Sequence, residues 1–213
     1  MRKLCFLFAA VMTAATVWWL AGCNGDGMKN VSERRSGYYA GGDDVMTVTA
    51  VSGVRERNYV ADGTAGELVP YTLITIVPSD FDVDAIYTYT AKASGSSFGG
   101  TFVVHPFAAS FSAEFSAETV CEEFTVTVNV GGQSREYALH SLVTDDMIEF
   151  DEAVSTAIDV LGAPDGKYEV RARLIKNPLG GDGVCWHVGF YTESGDTHSV
   201  LLDAVTAKTL AKK

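Results

Sequence analysis

Positive charge is scarce in this 213-residue sequence, where 16 Lys and Arg stand against 27 Asp and Glu for a net charge of −11. Phosphate binding needs the opposite sign, so a nucleic-acid partner is not expected. Catalytic signatures are missing too: there is no Gly-x-Ser-x-Gly, no His-Glu-x-x-His, no phosphate loop and no dinucleotide fingerprint. His105 and His140 sit in β-like segments with no readable partner for nucleophilic catalysis. No catalytic residue and no cofactor is therefore expected. Cysteines number four, and histidines four, which limits metal chemistry.

Charge is absent altogether from Leu4 to Gly22, a run rich in Phe, Ala, Val and Trp that follows Arg2 and Lys3. A charged start, an apolar stretch and small residues before a cleavage point make an export signal. The tetrad Leu20-Ala21-Gly22-Cys23 resembles the lipobox of bacterial lipoproteins. That resemblance implies a signal peptide over 1–22, diacylglycerol on the Cys23 thiol, and acylation of the new amine. It also implies a membrane partner through the lipid and an extracytoplasmic location in the cell envelope. An uncleaved anchor is the alternative, because the run approaches the ~20 residues of a spanning helix. Several acyl chains hold stably where one would be reversible, and the polar stretch 23–44, with its Gly, Ser, Asn and charges, reads as a flexible tether.

Cys5 leaves with the leader, and Cys121 and Cys185 remain in the body of the chain. Export permits a disulfide between them. Two separate buried thiols are the plainer alternative, since disulfide geometry is demanding.

From Val45 to Val143 the apolar segments are short, β-branched and separated by Gly, Pro, Ser and Asp clusters, as in an all-β sandwich or barrel. Phe124 to Val130, Gly131-Gly132 and Gln133 to Leu139 predict a hairpin with a primed turn. Phe124, Val126, Val128 and Val130 should face the core. Roughly seven such runs fit an immunoglobulin-like sandwich over 45–143. Phe107, Phe111 and Phe115, spaced by four, suit either a strand or a helix face; their β neighbours favour a strand or bent edge.

Composition changes at Met147. Asp146 with Glu149 three residues on suggests a capping box, and Phe150, Ala153, Val154, Ala157, Ile158 and Leu161 recur at helical spacing until Gly162 and Pro164. Alternating strands follow at Tyr168–Leu174, Val184–Thr192 and Thr197–Asp203. The apolar pattern sets Trp186, Val188 and Phe190 against Ala204, Leu202 and Val200 on the face that receives the helix. Glu169, Arg171, Arg173, Cys185, His187, Tyr191, Leu201 and Asp203 then share the other face.

Glu152-Ala153-Val154 opening a helix, these strands, and the ending His198 to Ala207 resemble the PepSY domain over about 147–213. The family usually has Gly where Ala207 stands. The resemblance implies a helix packed on an antiparallel sheet, and a non-enzymatic protein- or peptide-binding module of the kind that regulates a peptidase. The expected fold is thus mainly β: a sandwich followed by a small α+β unit. Arg171, Arg173, His187 and Tyr191 are the residue types suited to recognition on its open face, with an envelope protein or peptide as partner. A wall-polymer-binding surface module is the alternative, which would need Tyr87 and Tyr89 as an exposed platform. A hydrolase is a third reading.

Metal readings fail on spacing. Asp80, Asp82 and Asp84 alternate as in a calcium loop, but Ala85 and Ala91 stand where Gly and Glu are required. Cys185, His187 and His198 suggest zinc, yet the register places His198 on the opposite face from His187.

Overall fold

A computed structural model describes residues 30–57, 60, 62–93, 95–119, 121, 123–181 and 183–213. The expected leader, the lipobox-like tetrad and Cys23 lie outside the described residues.

The chain is mainly β. Its strands are β1 (Val31–Gly42), β2 (Met46–Glu56), β3 (Leu68–Pro78), β4 (Thr88–Ala93), β5 (Ser96–Thr101), β6 (Val103–Val104), β7 (Phe111–Phe115), β8 (Glu123–Val130) and β9 (Gln133–Ser141). The helix α1 (Phe150–Leu161) precedes β10 (Tyr168–Lys176), β11 (Val184–Thr192), β12 (Thr197–Asp203) and β13 (Thr209–Lys212). One continuous sheet runs β13-β12-β11-β10-β1-β2-β3-β7-β6. A second layer, β5-β4-β8-β9, joins it where Tyr39 and Ala40 pair with Ser141 and His140. Of all these pairings only β1–β10 is parallel.

The expected tether needs correction. Residues 31–42 are not a spacer but the strand that links the two halves of the sheet, paired to β2 on one side and β10 on the other. Two register shifts hide it from a periodicity reading. Arg35 lies opposite Gly53 but Gly37 lies opposite Ser52, so one extra residue enters β1 at Ser36. Such a bulge reverses which side the following side chains face. Glu33 and Arg35 therefore point away from the sandwich core, while Tyr39 enters it.

Two cores result. Between the layers, Val48, Ala50, Ile74 and Ile76 meet Tyr89, Phe124, Val126 and Leu139. The β8–β9 hairpin turns through Gly131 and Gly132, both at positive φ (57° and 79°), as a primed turn requires. Phe111 and Phe115 face this core from β7, with Phe115 stacked on Phe98 at 4.2 Å. Phe107 precedes the strand and is 93% exposed.

In the second core, α1 lays Phe150, Ala153, Val154 and Ala157 on Val170, Ala172, Leu174, Trp186, Val188 and Phe190. The expected faces are present, with a register displaced by two residues: Trp186 pairs with Leu202 and Val188 with Val200. An even displacement preserves the face. The expected capping box is absent. Glu149 occupies the N-cap position without a side-chain bond, and Asp146 accepts from the Thr144 hydroxyl instead. What fixes the helix entry is the Trp186 indole, which donates to the Ile148 carbonyl at 3.1 Å. Gly162 ends the helix at φ 77°, its N–H bonded to the Ile158 carbonyl. Ala207 holds φ 57° in the turn after β12, a conformation that suits glycine better.

Candidate binding face

Arg171, Arg173, His187 and Tyr191 share one face of β10 and β11, opposite α1. Arg173 pairs across the strands with His187, and Glu169 with Tyr191. Gly189 lies beneath the Tyr191 ring: a methyl group there would come within 2.9 Å of it. The ring thus lies flat on the sheet, and the Arg171 guanidinium sits over it at 4.8 Å from the centroid, a cation–π arrangement. Burial, then the Arg173 charge, pulls the Arg171 pKa down. The same two causes lower that of His187, which favours the neutral imidazole.

The face extends across β1 to β2 and β3, and here lie the residues that the sequence reading missed. Glu33 is buried at its centre. Its Oε2 accepts from Arg173 Nε at 2.7 Å and Nη2 at 2.5 Å. Its Oε1 accepts from the Tyr71 hydroxyl at 2.7 Å and from Arg35 Nη2 at 3.1 Å. Arg35 Nε donates to the Tyr71 hydroxyl at 2.9 Å, which closes the ring of bonds. Burial works to raise the Glu33 pKa, but Arg173, Arg35 and the Tyr71 bond prevail and hold it below the usual carboxylate range. Tyr71 is only 1% exposed; Arg55 covers its ring at 4.7 Å and is itself held by both oxygens of Glu114, at 2.7 and 2.8 Å. Burial, then Glu33, pushes the Tyr71 hydroxyl up to about 12.

Arg35 and Arg173 thus share Glu33, Arg55 is held by Glu114, and Arg171 lies over Tyr191 with Glu33 and Glu56 both acting on it. At the lower end of the face Glu169 is fully buried, with Oε1 accepting the Asp62 and Gly63 amides at 3.1 and 3.2 Å. Burial pushes its pKa up.

The remaining expectations separate. No disulfide joins Cys121 and Cys185. Cys121 packs at the margin of the sandwich core, whereas Cys185 sits on the arginine side of β11, its thiol donating to the Ile175 carbonyl at 3.8 Å. Burial, then Asp203, pushes that thiol up to about 11. His187 faces Leu201 and His198 faces Phe190, so the zinc trio does not converge. Asp82 accepts the Asp84 amide at 3.0 Å in a turn, and no cluster of metal ligands occurs among the described residues. Tyr87 and Tyr89, needed as an exposed platform, are buried in the sandwich core. Comparison with family models, with curated proteins and with solved structures returned no significant match, so the face stands on its own geometry.

Proposed function

We propose that this chain is a lipid-anchored extracytoplasmic lipoprotein that acts as a non-enzymatic binding module, its sandwich immunoglobulin-like in character and its C-terminal unit PepSY-like. Anchoring rests on Arg2 and Lys3, the uncharged run and the Leu20 to Cys23 tetrad. The observation that carries the binding reading is the preorganised arginine–tyrosine face. Its guanidiniums are already oriented by Glu33, Glu114 and two tyrosine rings, so little side-chain entropy remains to be lost on binding. Arginine in that state recognises planar carboxylates, which selects a protein or peptide partner presenting Asp, Glu or a chain terminus.

The test is capture from envelope extract by the chain from Asn24 onward, immobilised at its N-terminus. Arg171→Ala combined with Tyr191→Ala should reduce capture of the retained protein at least tenfold while the circular dichroism spectrum stays unchanged. Equal capture by the double variant would place the binding surface elsewhere. Retention of a peptidase would favour the regulatory form of the reading. Separately, Cys23→Ala should abolish lipid labelling and release the chain from the membrane fraction.

A further inference from the structure

One end of the sandwich carries a feature that the arginine face does not use. Gly42, the last residue of β1, pairs with Thr47, and Met46 at the start of β2 pairs with Pro78 at the end of β3. There the two layers part around a cleft of about 190 Å³, walled by Met46, Pro78, Tyr87, Val128 and Tyr137. Apolar cavities of about 150 Å³ accept a benzene ring, so this one has room for a single phenyl side chain. The charged residues of its lining are Asp80 and Arg135, one of each sign.

Solvent-exposed apolar side chains gather at the same end. Phe107 is 93% exposed, Ile86 73% and Val103 67%. Direct contacts join their segments to the cleft. The wall residue Tyr87 lies against Phe111, ring centroids 4.8 Å apart, and Phe111 lies against Phe81 at 5.3 Å. Phe111 also pairs across the strands with Val104. The turn that follows is closed by the His105 amide on the Ser110 carbonyl at 2.8 Å. Phe107 stands within it, its own amide donating to His105 Nδ1 at 3.2 Å. The backbone of the turn is held while the ring stays in water. Large apolar side chains grouped in this way mark an interaction surface.

We propose that this end is a self-association surface, on which Phe107 of one copy enters the cleft between Tyr87 and Tyr137 of a second copy, and the exchange is reciprocal. Knob and hole lie on the same end of one chain, as an isologous two-fold contact requires. An aromatic anchor seated in a pocket is the usual centre of binding energy in such a contact. Charge points to the same occupant. One negative and one positive side chain at the mouth favour neither a cationic nor an anionic guest, but a two-fold axis can set Asp80 of each copy against Arg135 of the other. Arg135 gives Nη1 to Asp43 at 3.2 Å, and a guanidinium has five donors to share. The net charge of −11 opposes association of two copies. The dimer is therefore weak, and it tightens as salt screens that repulsion. The proposal does not depend on the arginine face.

The experiment is sedimentation equilibrium of the chain from Asn24 onward, at concentrations up to about 1 mM. A reversible monomer–dimer equilibrium is expected. Phe107→Ser should weaken it by about tenfold or more, equivalent to about 1.4 kcal/mol. Its melting temperature should stay unchanged, because the ring is already in water. Ser79→Trp, at an exposed position of the cleft lining, should fill the hole and weaken association to a similar degree. Capture through the arginine face should change in neither variant. The two variants are then mixed in equal amounts. Phe107→Ser keeps its hole and Ser79→Trp keeps its knob, so the mixture regains one of the two contacts and should pair more tightly than either variant does with itself. A chain that stays monomeric throughout, undiminished association in Phe107→Ser, or no recovery in the mixture would overturn the proposal. A monomeric chain that binds a blocked pentapeptide with a central phenylalanine would assign the cleft to another protein, and so overturn the second copy as its occupant.

Discussion

Across β10 and β11, one face buries Val170, Ala172, Leu174, Trp186, Val188 and Phe190 against α1, while the other, one residue out of phase, carries Arg171, Arg173, His187 and Tyr191 on the side away from that helix. The first is held by apolar area and shape. The second is held by a buried carboxylate, the guanidiniums around it and a ring laid flat on glycine. The apolar face contributes cohesion without direction. The charged face contributes direction, because each guanidinium is fixed by named partners, and a removed partner leaves a buried charge uncompensated.

The largest effect should come from the apolar side. Trp186→Ala removes the packing on Phe150 and the bond that fixes the helix entry, and should cost about 4 kcal/mol in a denaturant titration. A loss below about 1 kcal/mol would mean that α1 is not held by this core.

On the charged side, Glu33→Gln leaves Arg173 and Arg35 without their shared anion, and should cost about 3 kcal/mol at neutral pH. Its pH dependence has a defined sign. A carboxyl whose folded pKa is depressed stabilises fully above its unfolded value, and that contribution is lost as pH falls through the folded value. The difference between Glu33→Gln and the unaltered chain should therefore shrink on acidification. A constant difference would assign the cost to shape rather than charge.

The smallest effect should have the opposite sign. Glu169 has a raised pKa from burial, so its contribution is present below its unfolded value and is lost as pH rises through the folded one. Glu169→Gln should raise stability at neutral pH, by on the order of 1 kcal/mol. The gain should vanish in acid. Destabilisation at neutral pH would show that the Asp62 and Gly63 amides need the full carboxylate.

How much of this could be read in the residues follows from where periodicity survives. The helix, its core face, the β8–β9 hairpin and the membership of the arginine side all follow strict alternation or helical spacing, and all were legible. β1 was not. In Val31 to Gly42 the polar run Ser32-Glu33-Arg34-Arg35-Ser36 resembles a spacer, and the bulge at Ser36 breaks the period on which a strand assignment relies. With β1 hidden, Glu33, Arg35 and, through them, Tyr71 were hidden too. Residues 147–213 also look separable in sequence for the same reason, whereas β10 takes its parallel partner from residues 31–35. The Asp146 cap failed for a local reason: the helix begins one residue after Glu149, and Asp146 is taken by Thr144.

The position of β1 has a mechanical consequence. A strand flanked by β2 and β10 would bear a pull on Asn30 along its own axis. Ladder hydrogen bonds lie across that direction, so both flanks would resist in shear together instead of unzipping one bond at a time. The grip on Arg173 through Glu33 would then lie in the line of force.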